Sequence, residues 1–133
     1  MARSKAVSRI ITSSALLALV AISAAGCGDS PTDTTPSEIN WDATPRPFRG
    51  QNNKQLRFNC PPNGSARRVW GMDVYTDDSS ICTAAVHAGG ITLAGGGQVT
   101  IEIRPGQAVY RGTTRNGITS FDYDDWDGSF IVR

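Results

Sequence analysis

Apolar and polar positions alternate most cleanly over 98–104. There Gln-Val-Thr-Ile-Glu-Ile-Arg sets Val99, Ile101 and Ile103 on one face at the two-residue period of a strand. Pro105-Gly106 supplies turn chemistry and is expected to end that strand. Leu56-Arg57-Phe58 alternates into Cys60, and Val69 to Tyr75 reads as another strand. Ala108-Val109-Tyr110 is a short strand, Arg115-Asn116-Gly117 a turn, and Ile118 to Tyr123 and Ser129 to Val132 read as closing strands. One segment has helical spacing instead. Over Ser80 to Ala88, Ile81, Ala84, Ala85 and Ala88 share a face, with Cys82 and Val86 beside it. Ser79 or Ser80 can cap its start, Asp77 and Asp78 sit near its positive end, and Gly89-Gly90 can stop it in the left-handed conformation. Small or apolar residues nearly all round imply a helix buried on more than one side. A short central helix enclosed by antiparallel strands is an α+β fold.

The first part of the chain follows different rules. Arg3, Lys5 and Arg9 precede a charge-free, mostly apolar or small run from Ile10 to Ala25, and Gly26-Cys27 follows. This is the layout of a secretory signal, with an apolar part short for a membrane span; an uncleaved amino-terminal anchor is the other reading. Ala24-Ala25-Gly26-Cys27 resembles a bacterial lipobox, in which the cysteine takes lipid and the chain is cut before it. Ala24 stands where that pattern usually has Leu, Val or Ile. An ordinary signal cut near Ala25 would leave Cys27 as a free thiol. The expected organisation is a signal over residues 1–26, a lipidated cysteine and tether over 27–38, and one domain over 39–133. Between Gly28 and Glu38 only prolines interrupt a polar sequence, so that stretch can bury nothing. Its eleven residues reach at most about 35 Å. Removing residues 1–26 takes three of the 13 Lys and Arg and none of the 12 Asp and Glu, leaving 10 − 12 = −2. That balance argues against nucleic acid and anionic lipid surfaces as partners.

The densest signal is Val69 to Gly90, and within it Ser79 to Gly89 follows the order Ser-x-Ile-Cys-x-Ala-Ala-x-His-x-Gly. This resembles the signature of the LCCL domain, a module of secreted and surface proteins. Trp70, Tyr75, Ser80, His87 and Gly89 are the signature positions, and Trp126, Ser129 and Phe130 match the family's closing strand. The resemblance implies the same helix-within-strands arrangement and an extracellular recognition role; lipopolysaccharide or other carbohydrate binding has been proposed for some members. It also implies the bridge that reaches the helix cysteine, Cys60 with Cys82, and these are the two that remain if Cys27 is lipidated. In an oxidising compartment they would close a loop worth about 3 kcal/mol. The second bridge usual in animal members has no counterpart here. Zinc is the alternative for the pair, at poor spacing.

Catalytic chemistry finds little purchase. His87 is the sole histidine, and Ser80 lies seven residues from it, about 10 Å along a helix. That is too far for a nucleophile and its base, and no Gly-x-Ser-x-Gly elbow is present. A buried or half-buried histidine tied to a backbone carbonyl is the expectation, with no enzyme activity and no cofactor. Asp122 to Gly128 holds four carboxylates, but Trp126 falls where an EF-hand needs a ligand and the glycine comes one residue late. A solvated turn is expected instead, and no metal. Trp41, Trp70, Trp126, Tyr75, Tyr110 and Tyr123 could supply a sugar-stacking platform or simply core. Arg104, Tyr110, Arg111 and Arg115 are the expected ligand contacts, as a modest anion-binding patch. The expected function is an envelope-anchored binding module for a glycan, a glycolipid of lipopolysaccharide type or a surface protein. The alternative is a structural envelope lipoprotein acting through protein contacts. The expected location is a bacterial cell envelope, with Gly28 after the cysteine favouring an outer membrane where one exists.

Overall fold

The computed structural model describes residues 35–133. Residues 1–34, and with them the signal, Cys27 and most of the tether, lie outside the described residues. Among the described residues there are eight strands: β1 (Ser37–Glu38), β2 (Gln55–Cys60), β3 (Gly71–Met72), β4 (Val74–Thr76), β5 (Gly97–Gln107), β6 (Thr114–Arg115), β7 (Ile118–Thr119) and β8 (Trp126–Val132). Helix α1 (Ile81–His87) falls between β4 and β5, and a 3-10 turn covers Arg46–Phe48. Six strands form one sheet in the order β1-β2-β5-β8-β4-β3, antiparallel except at β1-β2, and β6-β7 makes a separate hairpin.

The expected α+β architecture is present, and the apolar pattern explains where the core sits. Val99, Ile101 and Ile103 on β5 join Phe58, Tyr75 and Phe130 in a core that packs against α1. All seven helix residues are buried. The sheet covers one side of α1; the chain around 40–43, the segment before Val69 and the β6-β7 hairpin close the others. These contacts are polar as well as apolar. Ile81 N–H donates to Ala43 O at 3.0 Å, and Arg67 N–H donates to Thr83 Oγ1 at 2.9 Å. Cys60 at the end of β2 is joined to Cys82 in α1 by the expected disulfide, with Cα atoms 5.8 Å apart.

Six expected boundaries move. β5 does not end at Pro105-Gly106, because β2 pairs with it only as far as Glu102. The missing N–H of Pro105 therefore costs no ladder bond on that side, while β8 continues to pair through Gly128 and Trp126. The run from Val69 to Tyr75 is not one strand: Asp73 takes φ +65° and folds β3 back on β4. Ala108-Val109-Tyr110 is reduced to a single bridge from Tyr110 to Tyr123, and Ile118 to Tyr123 shrinks to β7 plus bridges at Phe121 and Tyr123. β8 begins at Trp126, so half of the acidic stretch read as a turn is strand. Ser37 and Glu38, assigned to the tether, pair in parallel with Phe58 and Asn59.

Candidate functional site

The signature residues point inward. The hydroxyl of Ser80 accepts the Thr83 N–H at 3.1 Å as a helix cap and donates to Trp41 O at 2.7 Å. His87 is fully buried at the far end of α1. Its Nδ1 lies 2.9 Å from the Tyr75 hydroxyl and its Nε2 3.1 Å from Thr113 O. With Nε2–H donating to that carbonyl, Nδ1 accepts from Tyr75 and a neutral ring is satisfied at both nitrogens. Burial pushes the Tyr75 phenol up to about 12, so it remains a donor. Asn116 closes the helix end, donating to His87 O at 2.9 Å, and Gly89 stops it at φ +89°. Ser80 and His87 each spend their bonds on different partners, so the two form no nucleophile–base pair.

An exposed row of aromatic rings runs beside the sheet edge at β3 and β4. The bridge Trp70↔Phe121 sets those two side chains on a common face, and Tyr123 returns to that face two residues on. Tyr123 meets Trp70 edge-on at 6.3 Å between centroids and Trp126 edge-on at 5.4 Å. Phe121 and Tyr123 are 48% and 39% exposed, where large apolar residues are ordinarily covered. Trp126 ends the row beneath two guanidinium groups, Arg46 at 5.7 Å and Arg49 at 5.3 Å from its ring.

Asp77 anchors this end. It is buried, and its oxygens accept from Arg49 Nε and Nη2 at 2.7 Å each and from Trp126 Nε1 at 2.8 Å. Burial opposes its ionisation, but the hydrogen bonds from Arg49 and Trp126 outweigh that and hold the carboxyl below the usual carboxylate range. The Asp77 carboxylate lies where a Cβ at residue 128 would sit, which is why that strand position is Gly128. One carboxylate thus fixes both the ring of Trp126 and the cation over it.

The expected contact residues do not assemble into one anion patch. Tyr110 is 2% exposed, with its hydroxyl accepting from Gln107 N–H at 2.9 Å and donating to Trp126 O at 3.3 Å; it supports the row from inside instead of meeting a ligand. Arg115 pairs with Asp73 at 2.7 Å and Arg111 with Asp122 at 3.9 Å. Arg104 Nε lies 3.2 Å from Glu102 Oε1, out of line for a hydrogen bond, and Glu102 also holds Arg133, whose bond keeps that carboxyl ionised to lower pH than usual. Each of the three arginines already lies against a carboxylate. Of the proposed platform residues, Trp41 and Tyr75 are core, while Trp70, Tyr123 and Trp126 reach the surface. Phe121, Arg46 and Arg49 were missed in the sequence. Only alternation in Phe-Asp-Tyr-Asp signalled Phe121, and nothing local ties residues 46 and 49 to residue 126. A concavity of about 200 Å³, lined by Val86, Gly89, Ile91, Thr92, Leu93 and Asn116, lies by the helix end. Its Asn116 amide is already used to cap α1. Among the described residues, no group of three or more His, Cys, Asp or Glu is placed to hold a metal, and no helix is long and apolar enough to cross a membrane.

Comparison with known proteins adds context. A family model described as LCCL domain matches residues 33–130. Vitrin of Bos taurus is 38% identical over 82 residues, which is 60% of this chain and 12% of vitrin. Clotting factor C of Tachypleus tridentatus is 32% identical over 95 residues, 70% of this chain and 9% of that protein. Cochlin of Homo sapiens is 44% identical over 64 residues, 48% of this chain and 12% of cochlin. The chain therefore matches only a small part of each of these much longer relatives.

Proposed function

This chain belongs to the LCCL domain family, and on that premise we propose that it is an exported binding module that recognises a glycan through the row Trp70, Phe121, Tyr123 and Trp126. The observation that carries the reading is the exposure of Phe121 and Tyr123 on a row whose Trp126 end is held in place by Asp77 and Tyr110. Rigid exposed rings suit sugars, whose C–H faces stack on aromatic faces while ring hydroxyls bond to neighbouring polar groups. The relatives include a clotting factor, which fits an extracellular module. The sequence before residue 35 supports export with a lipid anchor at Cys27, in a bacterial envelope.

The protein binds without catalysing in this reading. Its one histidine is buried and has both ring nitrogens engaged. The second reading, a structural lipoprotein working through protein contacts, draws on the exposed apolar trio Val109, Phe121 and Tyr123. A glycan array probed with the purified full chain and with Tyr123→Ala separates the two. The proposal expects saccharide binding that Tyr123→Ala abolishes with the thermal midpoint unchanged. Binding that survives Tyr123→Ala refutes the assigned site, and an array with no hits favours the structural reading.

A further inference from the structure

The charges around the aromatic row narrow the ligand, on the premise that the row is the glycan site. The segment 121–127 reads Phe-Asp-Tyr-Asp-Asp-Trp-Asp, so carboxylates alternate with the rings. Asp122 is spent on Arg111 and on the Gly112 N–H at 2.7 Å. Asp124, Asp125 and Asp127 are exposed and, among the described residues, make no ion pair. Asp78 stands beside Asp77 at the same end of the row, and both Asp78 and Asp127 lie close enough to Arg49 to favour its charged form. The cations nearby are Arg46, Arg49 and Arg68, the last two residues before Trp70. Against Asp77, Asp78, Asp124, Asp125 and Asp127 the balance is 3 − 5 = −2. Arg49 already spends Nε and Nη2 on Asp77, so its charge is largely balanced by that carboxylate.

The rings carry the same preference. The negative face of an aromatic ring attracts cations, and the chain already satisfies Trp126 in this way with Arg46 and Arg49. No such contact is made to Tyr123, Phe121 or Trp70 among the described residues. We infer that this site selects saccharides bearing ammonium groups, such as an amino-sugar polymer with free amines, and disfavours phosphorylated or carboxylated glycans. Sugar faces stack on Tyr123 and Phe121 within the negative field of the neighbouring carboxylates, which draws ammonium groups in and repels a phosphate or carboxylate.

The test uses the full chain and three oligosaccharides of equal length: free-amine glucosamine, N-acetylglucosamine and galacturonate. Mildly acidic, low-salt buffer keeps the amines protonated, and binding is read by tryptophan fluorescence and calorimetry. The expected result is about tenfold tighter binding of the free-amine oligomer than of the acetylated one, from exposed cation–π and ion-pair contacts. No galacturonate binding is expected. Asp124→Asn with Asp125→Asn should bring the free-amine and acetylated oligomers to within about twofold of each other. The thermal midpoint should not move, since both residues are exposed. Equal binding of the acetylated oligomer, or preference for galacturonate, overturns the charge selection while leaving the glycan reading intact. Oligolysine bound as tightly as the amine sugar, with the acetylated sugar unbound, overturns it in favour of a basic protein partner. Failure of all three sugars overturns the glycan reading itself.

Discussion

Replacing Asp77 with Asn tests the part of the structure on which the aromatic row depends. The wild-type carboxylate is buried and accepts three side-chain hydrogen bonds, two from Arg49 and one from Trp126, at 2.7–2.8 Å. Asn keeps one acceptor oxygen and turns an NH₂ donor toward donors that need an acceptor. Removing one partner of a buried pair costs about 3–5 kcal/mol where the other charge stays buried. Arg49 is 31% exposed and can regain water, so the cost is discounted to about 2–4 kcal/mol. For a domain of this size that corresponds to a fall of roughly 10–25 °C in Tm. Urea titration followed by tryptophan fluorescence and far-ultraviolet circular dichroism measures it. The pH dependence gives an independent check. A carboxyl held below its ordinary value of about 3.9 stabilises the fold above that pH, and the contribution fades as pH falls through the lower folded value. The gap between wild type and Asp77→Asn should therefore be constant above about pH 5 and close in stronger acid. A loss under about 0.5 kcal/mol at neutral pH, or a gap that persists unchanged to about pH 2, would refute the assignment.

His87→Ala should cost about 2–4 kcal/mol, since it empties a fully buried site and strands the Tyr75 hydroxyl. Substrate turnover that vanishes in a folded, equally stable His87→Ala variant would make the residue catalytic and defeat the binding-only reading. Cys60→Ala with Cys82→Ala should lower stability by about 3 kcal/mol, and mass mapping of the exported wild-type protein should recover one peptide joining the two positions. Cys27→Ser should move the protein from the membrane fraction to the soluble fraction; detergent-dependent membrane association retained by that variant would sink the lipid anchor.

Local chemistry made much of the fold legible. The period-two run over 98–104 had only one sensible face, and Ser80, the alanines and Gly89 delimited α1 to within a residue at each end. The errors came where a distant neighbour decides. Pro105 ends strands when both edges are paired, and no local feature announces that β2 stops at Glu102. Asp73 is an ordinary surface residue by composition, yet the return of β3 on β4 forces it to φ +65°. Tyr110 read as exposed because it sits between small and charged residues, whereas its ring fills the space beside Gly71. The pairing of the arginines was hidden for a related reason. Arg104, Arg111 and Arg115 follow one another in sequence, but Arg111 and Arg115 lie next to carboxylates that the tertiary fold supplies, Asp122 and Asp73, while Arg104 leans on Glu102 two residues before it on the same strand.

The residues that identify the family and those proposed to read a ligand are different sets, and the structure gives the reason. Ser80, Cys82 and His87 spend their functional groups on a helix cap, a disulfide and two buried hydrogen bonds. A buried helix ringed by strands needs those bonds whatever the protein binds, because unmade bonds there cost more than most contacts gain. The signature is therefore a requirement of folding and carries no information about ligand chemistry. That information must reside where side chains are free of structural duty. On this chain those positions are Phe121, Tyr123, Asp124 and Asp125, outside the helix and exposed. Two members with the same signature and opposite charge on the segment corresponding to 121–127 should then share a fold and differ in ligand. Exchanging Asp124 and Asp125 for Lys in this chain makes the point testable. The thermal midpoint should stay within a few degrees while preference shifts from ammonium-bearing to carboxylated saccharides; a lost fold, or an unshifted preference, would show that signature and recognition are not separable in this way.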